Sequence, residues 1–255
     1  MIIDGHVHVG TGAFFHMDAD EDFLLRLADK AGFDKIFITE LDALFYDMCA
    51  GNDALARRVA RHPDRLIGYV SVPTPRLGAK AVEEVRRCRE KYGFRGLKIY
   101  SHPEASIAEP GTIPLLEIAA SYGMPILAHT TPAECDWLME RVPQARLLMA
   151  HMGGHPYAHG DWHKAVAAAK KHKNLLLDTA SSQIDNGMLE HAVDELGPER
   201  ILFGTDMPLL DPFVQLAKVT GADLDEAAKA LILGGNLVRI LKSQDAIVPS
   251  SSPVP

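Results

Sequence analysis

Three ionisable side chains alternate along the first ten residues of the chain, MIIDGHVHVG. Successive side chains of a β-strand point to opposite faces, so Asp4, His6 and His8 share one face and the apolar residues between them share the other. Two imidazoles side by side are typical of metal ligands, although His-x-His also occurs by chance in many strands. The segment therefore predicts a strand that supplies part of a metal site, and the remaining ligands must come from elsewhere in the chain.

Eight short apolar runs must position this segment and its partners: MIIDGHVH, KIFIT, LIGYVSV, RGLKIY, MPILAH, RLLMAH, NLLLDTA and RILFGTD. Segments of helical periodicity separate them, with Asp18, Asp20 or Asn52 as candidate N-caps and glycines at several helix ends. This alternation is typical of βαβ units and a parallel sheet, and eight units suit a closed (β/α)8 TIM barrel. An open doubly wound sheet is the alternative, but HVHVGTGAFF lacks the third glycine and the helix start of a nucleotide-binding loop.

The end of the chain carries two further patterns. The segment LDEAAKALILGGNLVRILK predicts one or two amphipathic C-terminal helices, broken at Gly234 and Gly235 and packed back on the barrel. The segment SQDAIVPSSSPVP is rich in Ser and Pro and predicts a loose tail. We therefore predict a single barrel domain over residues 1–243 and a flexible tail over residues 244–255.

Composition excludes several classes of function. The net charge is −8 and the pI is near 5.8, with no basic stripe, which argues against nucleic-acid binding. No run approaches the length of a membrane span, and the first residues lack a basic and long apolar leader, so we expect neither membrane insertion nor secretion. The three cysteines are far apart and form no C-x-x-C motif, which fits a reducing cytoplasm.

Four further polar residues fall at the ends of predicted strands. Lys98 is the last inward-facing residue of the fourth run, His129 ends the fifth, His151 the sixth and Asp206 the eighth. In a βα barrel, catalytic groups collect at the C-terminal ends of the strands, where the loops form a pocket. Each residue alone has a structural explanation, such as a hydrogen-bonded His or a turn-capping Asp. Together with His6 and His8 they favour a metal-dependent active site.

The same motifs resemble the amidohydrolase superfamily of metal-dependent barrels. The resemblance rests on the N-terminal His-x-His, the strand-end histidines and the late GTDMP, and it runs nearly end to end. The segments RHPDRLIGYVSV, GFRGLKIY, LLMAHMGG, ILFGTDMP and LILGGNLVRIL are similar to the branch called amidohydrolase-related. That branch contains metal-dependent hydrolases and also decarboxylases similar to aminocarboxymuconate-semialdehyde decarboxylase and γ-resorcylate decarboxylase.

The resemblance implies that His6, His8, His129 and Asp206 bind a divalent ion. Such an ion, with a position open to water, generates hydroxide near neutral pH. Zinc is the first expectation because nitrogen-rich sites suit it, although iron, manganese and nickel bind similar sets. The resemblance also suggests that Asp206 takes a proton from the bound water and later delivers it to the leaving group.

His151 and Lys98 decide between one ion and two. In two-metal members of the superfamily the sixth-strand His binds a second ion, and a carboxylated lysine on the fourth strand bridges the pair. In one-metal members that His is a free acid–base group. Lys98 would then stay an ammonium that pairs with a substrate carboxylate or a neighbouring acid. We expect the free ammonium and keep the bridged pair as the alternative.

Residues just beyond the strand ends are the candidates for substrate contacts: Tyr100, His102 and His155. Asp178, at the end of the seventh run, is expected to orient a ligand His through a hydrogen bond, and Asp4 to orient a neighbour deeper in the barrel. Weaker candidates in the same loops are His16, Phe14, Phe15, His159 and His163.

We expect a metal-dependent hydrolase in which bound hydroxide attacks a small ester, lactone or amide. The alternative is a lyase of the same fold, a non-oxidative decarboxylase or hydratase acting on a small carboxylic acid. A decarboxylase needs a cation for the carboxylate, and Arg95 is expected at the opposite end of the barrel from Lys98. A non-enzymatic metal-binding barrel would be expected to lack ligands. Short loops favour a small-molecule substrate, and a homodimer is a further expectation.

Overall fold

The computed structural model describes residues 1–12, 17–73, 75–101, 105–153, 162–183 and 185–247. Its framework is a single curved sheet of nine strands in the order β2-β1-β3-β4-β5-β6-β7-β8-β9, parallel except for the hairpin partner β2. The strands are β1 (Ile3–Gly12), β2 (Met17–Ala19), β3 (Lys35–Glu40), β4 (Leu66–Val72), β5 (Gly96–Tyr100), β6 (Pro125–His129), β7 (Arg146–Met149), β8 (Leu175–Asp178) and β9 (Ile201–Leu202).

The sheet closes on itself between the first strand and the chain after the last one. Gly5 N–H donates to the Phe203 carbonyl at 2.9 Å, Asp206 N–H to the His6 carbonyl at 2.8 Å, and His8 N–H to the Met207 carbonyl at 2.9 Å. Eight parallel strands with helices outside them form the predicted (β/α)8 TIM-barrel fold. The closure also carries Asp206 to the C-terminal end of β1, although some 200 residues separate it from His6.

Helices cover the outside of the barrel. They are α1 (Glu21–Ala31), α2 (Leu41–Phe45), α3 (Met48–Arg61), α4 (Ala79–Tyr92), α5 (Ile113–Ser121), α6 (Pro132–Arg141), α7 (Trp162–Lys171), α8 (Met188–Leu196), α9 (Pro212–Thr220), α10 (Glu226–Ala230) and α11 (Asn236–Ile247). None of the helices in the described ranges is long and apolar enough to cross a membrane.

The barrel interior divides into an apolar half and a polar half. Large apolar side chains fill the half near the N-terminal ends of the strands, where Leu237 and Ile240 of α11 close the barrel: Ile3, Phe37, Tyr69, Leu127, Leu148, Leu176 and Leu202. Polar side chains occupy the other half, and Lys98 and His6 are both almost fully buried there. This division confines the ionisable groups to the end of the barrel where the βα loops lie.

Two sequence expectations about helix starts and breaks need correction. Asn52 is not an N-cap but lies inside α3, which begins after the N-cap Asp47. Asp20 is the N-cap of α1, as expected. The chain does not break at Gly234 and Gly235, because these residues form a π-helical turn, Leu231–Gly235, between α10 and α11. A Cβ atom at Gly234 would lie 2.6 Å from the Met1 carbonyl oxygen, so close packing against the N-terminus explains this glycine.

The structure also differs from the sequence expectations at the C-terminus. α11 continues to Ile247, and Gln244 is fully buried and bonded to Arg95, so the boundary predicted after residue 243 lies inside this helix. The remaining tail residues, 248–255, are outside the described ranges. Arg95 does lie at the end of the barrel covered by α11, away from the polar half, as expected.

Candidate metal centre

Three predicted ligands meet at the polar end of the barrel. His6 and His8 project from β1, and Asp206 follows β9. The Nε2 atoms of the two histidines are 3.2 Å apart, and Asp206 Oδ1 lies 2.9 Å from His8 Nε2 and 3.5 Å from His6 Nε2. One ligand atom from each residue lies within 4.8 Å of the other two. Residues from opposite ends of the chain thus form one compact donor set.

Neighbouring residues fix which ring nitrogens face this donor set. The His6 ring bonds through Nδ1 to Asp178 Oδ2 at 2.5 Å, and a carboxylate accepts, so that nitrogen carries the proton. The His8 ring bonds through Nδ1 to Thr39 Oγ1 at 2.5 Å, and the Thr39 hydroxyl itself donates to the Val7 carbonyl at 3.2 Å. Both rings therefore present an Nε2 lone pair to the centre.

The three converging atoms fit a divalent cation. Two nitrogen lone pairs and a carboxylate oxygen at these separations repel one another unless positive charge lies beside them. Burial raises the pKa of Asp206, but the imidazoles of His6 and His8 beside it outweigh that effect and hold this pKa below its usual range, so the group is an anionic carboxylate. Two imidazoles and one carboxylate are ligands that first-row divalent ions such as manganese, iron and zinc all accept.

Lys98 is the cation next to the donor set. Its Nζ atom lies 3.2 Å from His6 Nε2, and the side chain is almost fully buried. Burial lowers the pKa of Lys98 to about 8, and the carboxylates of Asp206 and Asp178 oppose that shift. At neutral pH the larger fraction is therefore the ammonium, the form expected for a one-ion site. Carboxylation of Lys98 and a second ion stay the alternative prediction.

His129 and His151 form a second pair of imidazoles beside the first. His129 ends β6, His151 follows β7, and the distance from His129 Nδ1 to His151 Nε2 is 3.4 Å. The Nδ1 atom of His151 bonds to the Ala180 carbonyl oxygen, and burial lowers the pKa of His151 to about 3, which leaves a neutral ring. Neither residue belongs to the three-residue donor set, so their predicted roles as ligands stay predictions.

The backbone is strained at two of these residues. His151 has φ 61° and Asp206 has φ 60°, both in the left-handed region that residues with a Cβ atom rarely adopt. Each such residue costs about 1–3 kcal/mol and persists only where the surrounding structure enforces it. Strain at two pocket residues indicates that their placement serves the site rather than the stability of the fold.

The donor set lies at the floor of a pocket with one apolar wall. Leu41, Leu44 and Phe45 of α2 and Leu209 after β9 face the charged residues. The Tyr100 ring lies over the His129 ring with the centroids 4.3 Å apart, so the predicted contact residue Tyr100 does line the pocket. The sequence analysis did not single out the four apolar residues, because α2 is too short for a helical pattern to show.

The other predicted residues divide into supporting, outlying and undescribed ones. Asp178 orients His6, as expected, and Asp4 accepts hydrogen bonds from His6 N–H and from Thr205, with its pKa raised to about 8 by burial. His163 is exposed and stacks on Trp162. The candidates outside the described residues are His102, His155, His159, His16, Phe14 and Phe15.

Comparisons with known proteins identify the relatives of this fold and site. The family model described as amidohydrolase matches residues 3–242. A γ-resorcylate decarboxylase from Polaromonas sp. is 24% identical over 75% of this chain and 74% of its own length. The one from Rhodococcus jostii is 24% identical over 62% of this chain, and the match spans 64% of that relative, under two thirds.

A solved structure matches the fold over almost the whole chain. It is a dihydroxybenzoic acid decarboxylase from Polaromonas sp. with bound manganese and the inhibitor 2-nitroresorcinol. The TM-score is 0.78 at 18% sequence identity, and the match covers 98% of this chain and 99% of that one. At this identity the likeness shows the fold alone, which confirms the TIM barrel.

These relatives overturn one expectation. The hydrolase prediction is wrong, because the matched relatives are non-oxidative decarboxylases, the reaction that the sequence analysis kept as its alternative. The physical reason for the error is that both reactions use the same ligand set, so the motifs identify the site without identifying the bond it breaks. The expectation of zinc has no support either, since the neighbouring structure holds manganese.

Proposed function

Because this chain belongs to the amidohydrolase family, we propose that it is a metal-dependent lyase that removes CO₂ from a small aromatic or unsaturated carboxylic acid. The observation that carries the proposal is a single buried ammonium, Lys98, beside a His–His–Asp donor set in a pocket with an apolar wall. A cation for the carboxylate and an apolar surface for the carbon skeleton are the two features that such a substrate needs. The activities of the relatives support the same class of reaction.

His6, His8 and Asp206 would hold the ion, and we propose Mn²⁺ rather than zinc. When bound, the ion polarises substrate oxygens and stabilises negative charge on the substrate as the carboxylate leaves. Manganese accepts carboxylate and imidazole ligands together, and the neighbouring decarboxylase structure contains it. His129 and His151 line the same pocket, and the neutral imidazole of His151 can hydrogen-bond to a hydroxyl or carbonyl group of the substrate.

The chain's own residues favour loss of CO₂ by placing charge and excluding water. The Lys98 ammonium pairs with the substrate carboxylate and fixes its orientation. Leu41, Leu44 and Phe45 withhold water from that carboxylate, which raises its free energy relative to the neutral CO₂ that it becomes. The electron pair of the broken C–C bond stays on the carbon, so this carbon must take up one proton.

Asp206 is the residue placed to carry that proton. Its carboxylate faces the pocket, and its strained backbone holds it there. A proton taken from solvent or from a substrate hydroxyl onto Asp206 and passed to the carbon balances the reaction, in which RCOO⁻ and H⁺ become RH and CO₂. A small-molecule substrate, a cytoplasmic location and a homodimer complete the proposal.

Headspace mass spectrometry tests this function. The Mn²⁺-loaded protein would be incubated with carboxyl-¹³C-labelled γ-resorcylate and a panel of other hydroxylated aromatic and unsaturated acids. We expect ¹³CO₂ from at least one acid, with one deuterium at the vacated carbon when the solvent is D₂O. Hydrolysis of esters or lactones without release of CO₂ from any acid would contradict the proposal.

Lys98→Met separates the role of the ammonium from that of packing. Methionine keeps the length of the side chain and removes the charge. We expect kcat/KM for the acid to fall at least about 100-fold, the cost of losing a charge-assisted bond to the substrate carboxylate worth about 3 kcal/mol. Lys229→Met, on α10 and away from the pocket lining, is the matched control and should keep wild-type turnover.

A further inference from the structure

Lys218, on the outer helix α9, binds the chain that follows β8. Its Nζ atom donates to the Thr179 carbonyl oxygen at 2.7 Å and to the Ser181 carbonyl oxygen at 2.8 Å. Among the described residues no carboxylate lies within ion-pair distance of this ammonium, which bonds instead to these two main-chain oxygens. Burial lowers the pKa of Lys218 to about 8, against the charge of Asp178, so the position is a costly one for a lysine.

Ala180, which lies between Thr179 and Ser181, is linked to both pairs of imidazoles, to His6 through Asp178 and to His151 directly. Ala180 N–H donates to Asp178 Oδ1 at 2.7 Å, and the other oxygen of Asp178 receives the His6 bond. The Ala180 carbonyl oxygen is the acceptor for His151 Nδ1. The N–H of Ala180 therefore orients the carboxylate that holds His6, and the carbonyl of Ala180 fixes which nitrogen of His151 carries the proton.

Gln215, also on α9, forms two further hydrogen bonds to the segment that follows β8. Its Nε2 donates to the Ser181 carbonyl at 3.1 Å, and its Oε1 accepts from Ser181 N–H at 3.4 Å. Gln215 bonds to the N–H and the carbonyl of Ser181, whereas Lys218 bonds to the carbonyls of the residues on both sides of Ala180. Lys218 therefore holds the two peptide units that flank the one carrying the Ala180 carbonyl, and Gln215 holds that unit through Ser181 N–H.

We propose that Lys218 is a positioning residue that keeps the Ala180 carbonyl aimed at His151 Nδ1. With Nδ1 held as the donor, His151 Nε2 faces His129 and the pocket as an acceptor. Without Lys218 both flanking peptide units lose an anchor, the Ala180 carbonyl can turn away, and His151 loses the partner that fixes its tautomer. The effect on turnover rests on the proposed function, while the effect on the His151 ring does not.

The test combines ¹⁵N-histidine NMR on EDTA-treated protein with steady-state kinetics on the Mn²⁺-loaded enzyme, for Lys218→Met and Lys218→Arg. We expect one Nδ1–H tautomer for His151 in the wild type and mixed tautomers in Lys218→Met. The same variant should show a fall in kcat of about 10- to 100-fold, the size expected when a catalytic group is misplaced, with KM and metal content unchanged. Lys218→Arg keeps donors and charge and should recover part of both losses.

Lys229→Met is the matched control, because this lysine also lies mostly covered on a C-terminal helix with its ammonium bonded to Glu226. A lower melting temperature of Lys218→Met with wild-type His151 signals and kcat would show that Lys218 only docks α9, and the proposal would be wrong. If Lys218→Met does not fold, Lys218→Gln decides, because its amide is too short to reach both carbonyls. Mixed His151 tautomers in a folded Lys218→Gln support the proposal, and a single Nδ1–H tautomer contradicts it. If the wild type releases no CO₂ from any acid, the NMR result still tests the role of Lys218, so the two proposals fail separately.

Discussion

The ring nitrogens of His6 and His8 face the centre because of two residues that do not themselves belong to the donor set. Asp178 accepts from His6 Nδ1, and Thr39 accepts from His8 Nδ1. Such partners raise the basicity of the ligand and hold its tautomer, and their loss commonly costs about 10- to 100-fold in metal affinity. At the scale of single residues, the site therefore depends on bonds to the far side of each ring.

Asp178→Asn is predicted to weaken Mn²⁺ binding by about 10- to 100-fold. The asparagine can keep its carbonyl oxygen on Ala180 N–H and then turns an NH₂ donor toward His6. His6 must respond by accepting at Nδ1 and carrying its proton on Nε2, which removes the lone pair from the centre. Competition with a fluorescent chelator measures the dissociation constant.

Thr39→Ser provides the control for this variant, because serine keeps the hydroxyl that His8 uses. Its Mn²⁺ affinity should stay close to that of the wild type. An unchanged dissociation constant in Asp178→Asn would show that the orientation of His6 does not depend on this bond.

Much of this residue-scale arrangement was predictable from sequence. The positions of His6, His8, Lys98, His129, His151 and Asp206 at one end of the barrel follow from their places at strand ends, and Asp178 was expected to orient a ligand. The Ala180 carbonyl and the ammonium of Lys218 were not predictable, because main-chain acceptors leave no mark on residue type.

At the scale of elements, the apolar wall depends on how α2 packs against α3. A Cβ atom at Gly51 of α3 would lie 2.3 Å from the Ala43 backbone nitrogen, so the two helices meet backbone to backbone at that point. Ala43 lies between Leu41 and Leu44, which line the pocket. Gly51 therefore allows α2 to pack closely against α3, and this packing positions the residues of the apolar wall.

Gly51→Ala is predicted to lower the free energy of unfolding by about 1–3 kcal/mol through overpacking. Helix propensity alone would have the opposite sign, since alanine in a helix interior gains about 0.5–1 kcal/mol over glycine. The sign of the change therefore shows which effect dominates, and urea denaturation measures it.

Ala50→Gly, at the exposed neighbouring position, reports the propensity effect alone and should lower stability by about 0.5–1 kcal/mol. If Gly51→Ala raised stability, the close approach of α2 and α3 would be refuted. The sequence did not reveal α2, because five residues make fewer than two helical turns and LDALF follows a strand directly.

At the scale of the whole molecule, the two ends of the barrel have separate tasks. α11 closes the apolar end, where Arg95 donates through Nε to Gln244 Oε1 at 2.7 Å and Gln244 Nε2 donates to the Arg95 carbonyl at 2.9 Å. The donor set and its pocket occupy the opposite end. Changes at the closed end should therefore affect stability without affecting metal binding.

Gln244→Ala is predicted to lower the free energy of unfolding by about 1–3 kcal/mol, because it leaves buried partners on Arg95 unsatisfied. Mn²⁺ affinity should not change. Asp245→Ala removes an exposed partner of the same arginine and should have little effect on stability. Thermal and urea denaturation of both variants make the comparison, and equal stability of Gln244→Ala and the wild type would place residue 244 in a loose tail after all.

The sequence predicted the fold of the whole molecule correctly and its reaction wrongly. The periodic strand and helix patterns determine the barrel, and the strand ends determine where polar groups gather. Hydrolysis and decarboxylation can use the same metal ligands, and the residues that line the rest of the pocket, LDALF and Leu209 among them, belong to no ligand motif.

Titration of the metal-free protein with Mn²⁺, followed by release of CO₂ from the same panel of acids, tests the central claim most directly. The account predicts that release is absent without metal, rises with added Mn²⁺, saturates near one ion per chain, and is lost in His8→Ala. Release of CO₂ by the metal-free protein, or full activity in His8→Ala, would contradict a decarboxylase built on His6, His8 and Asp206.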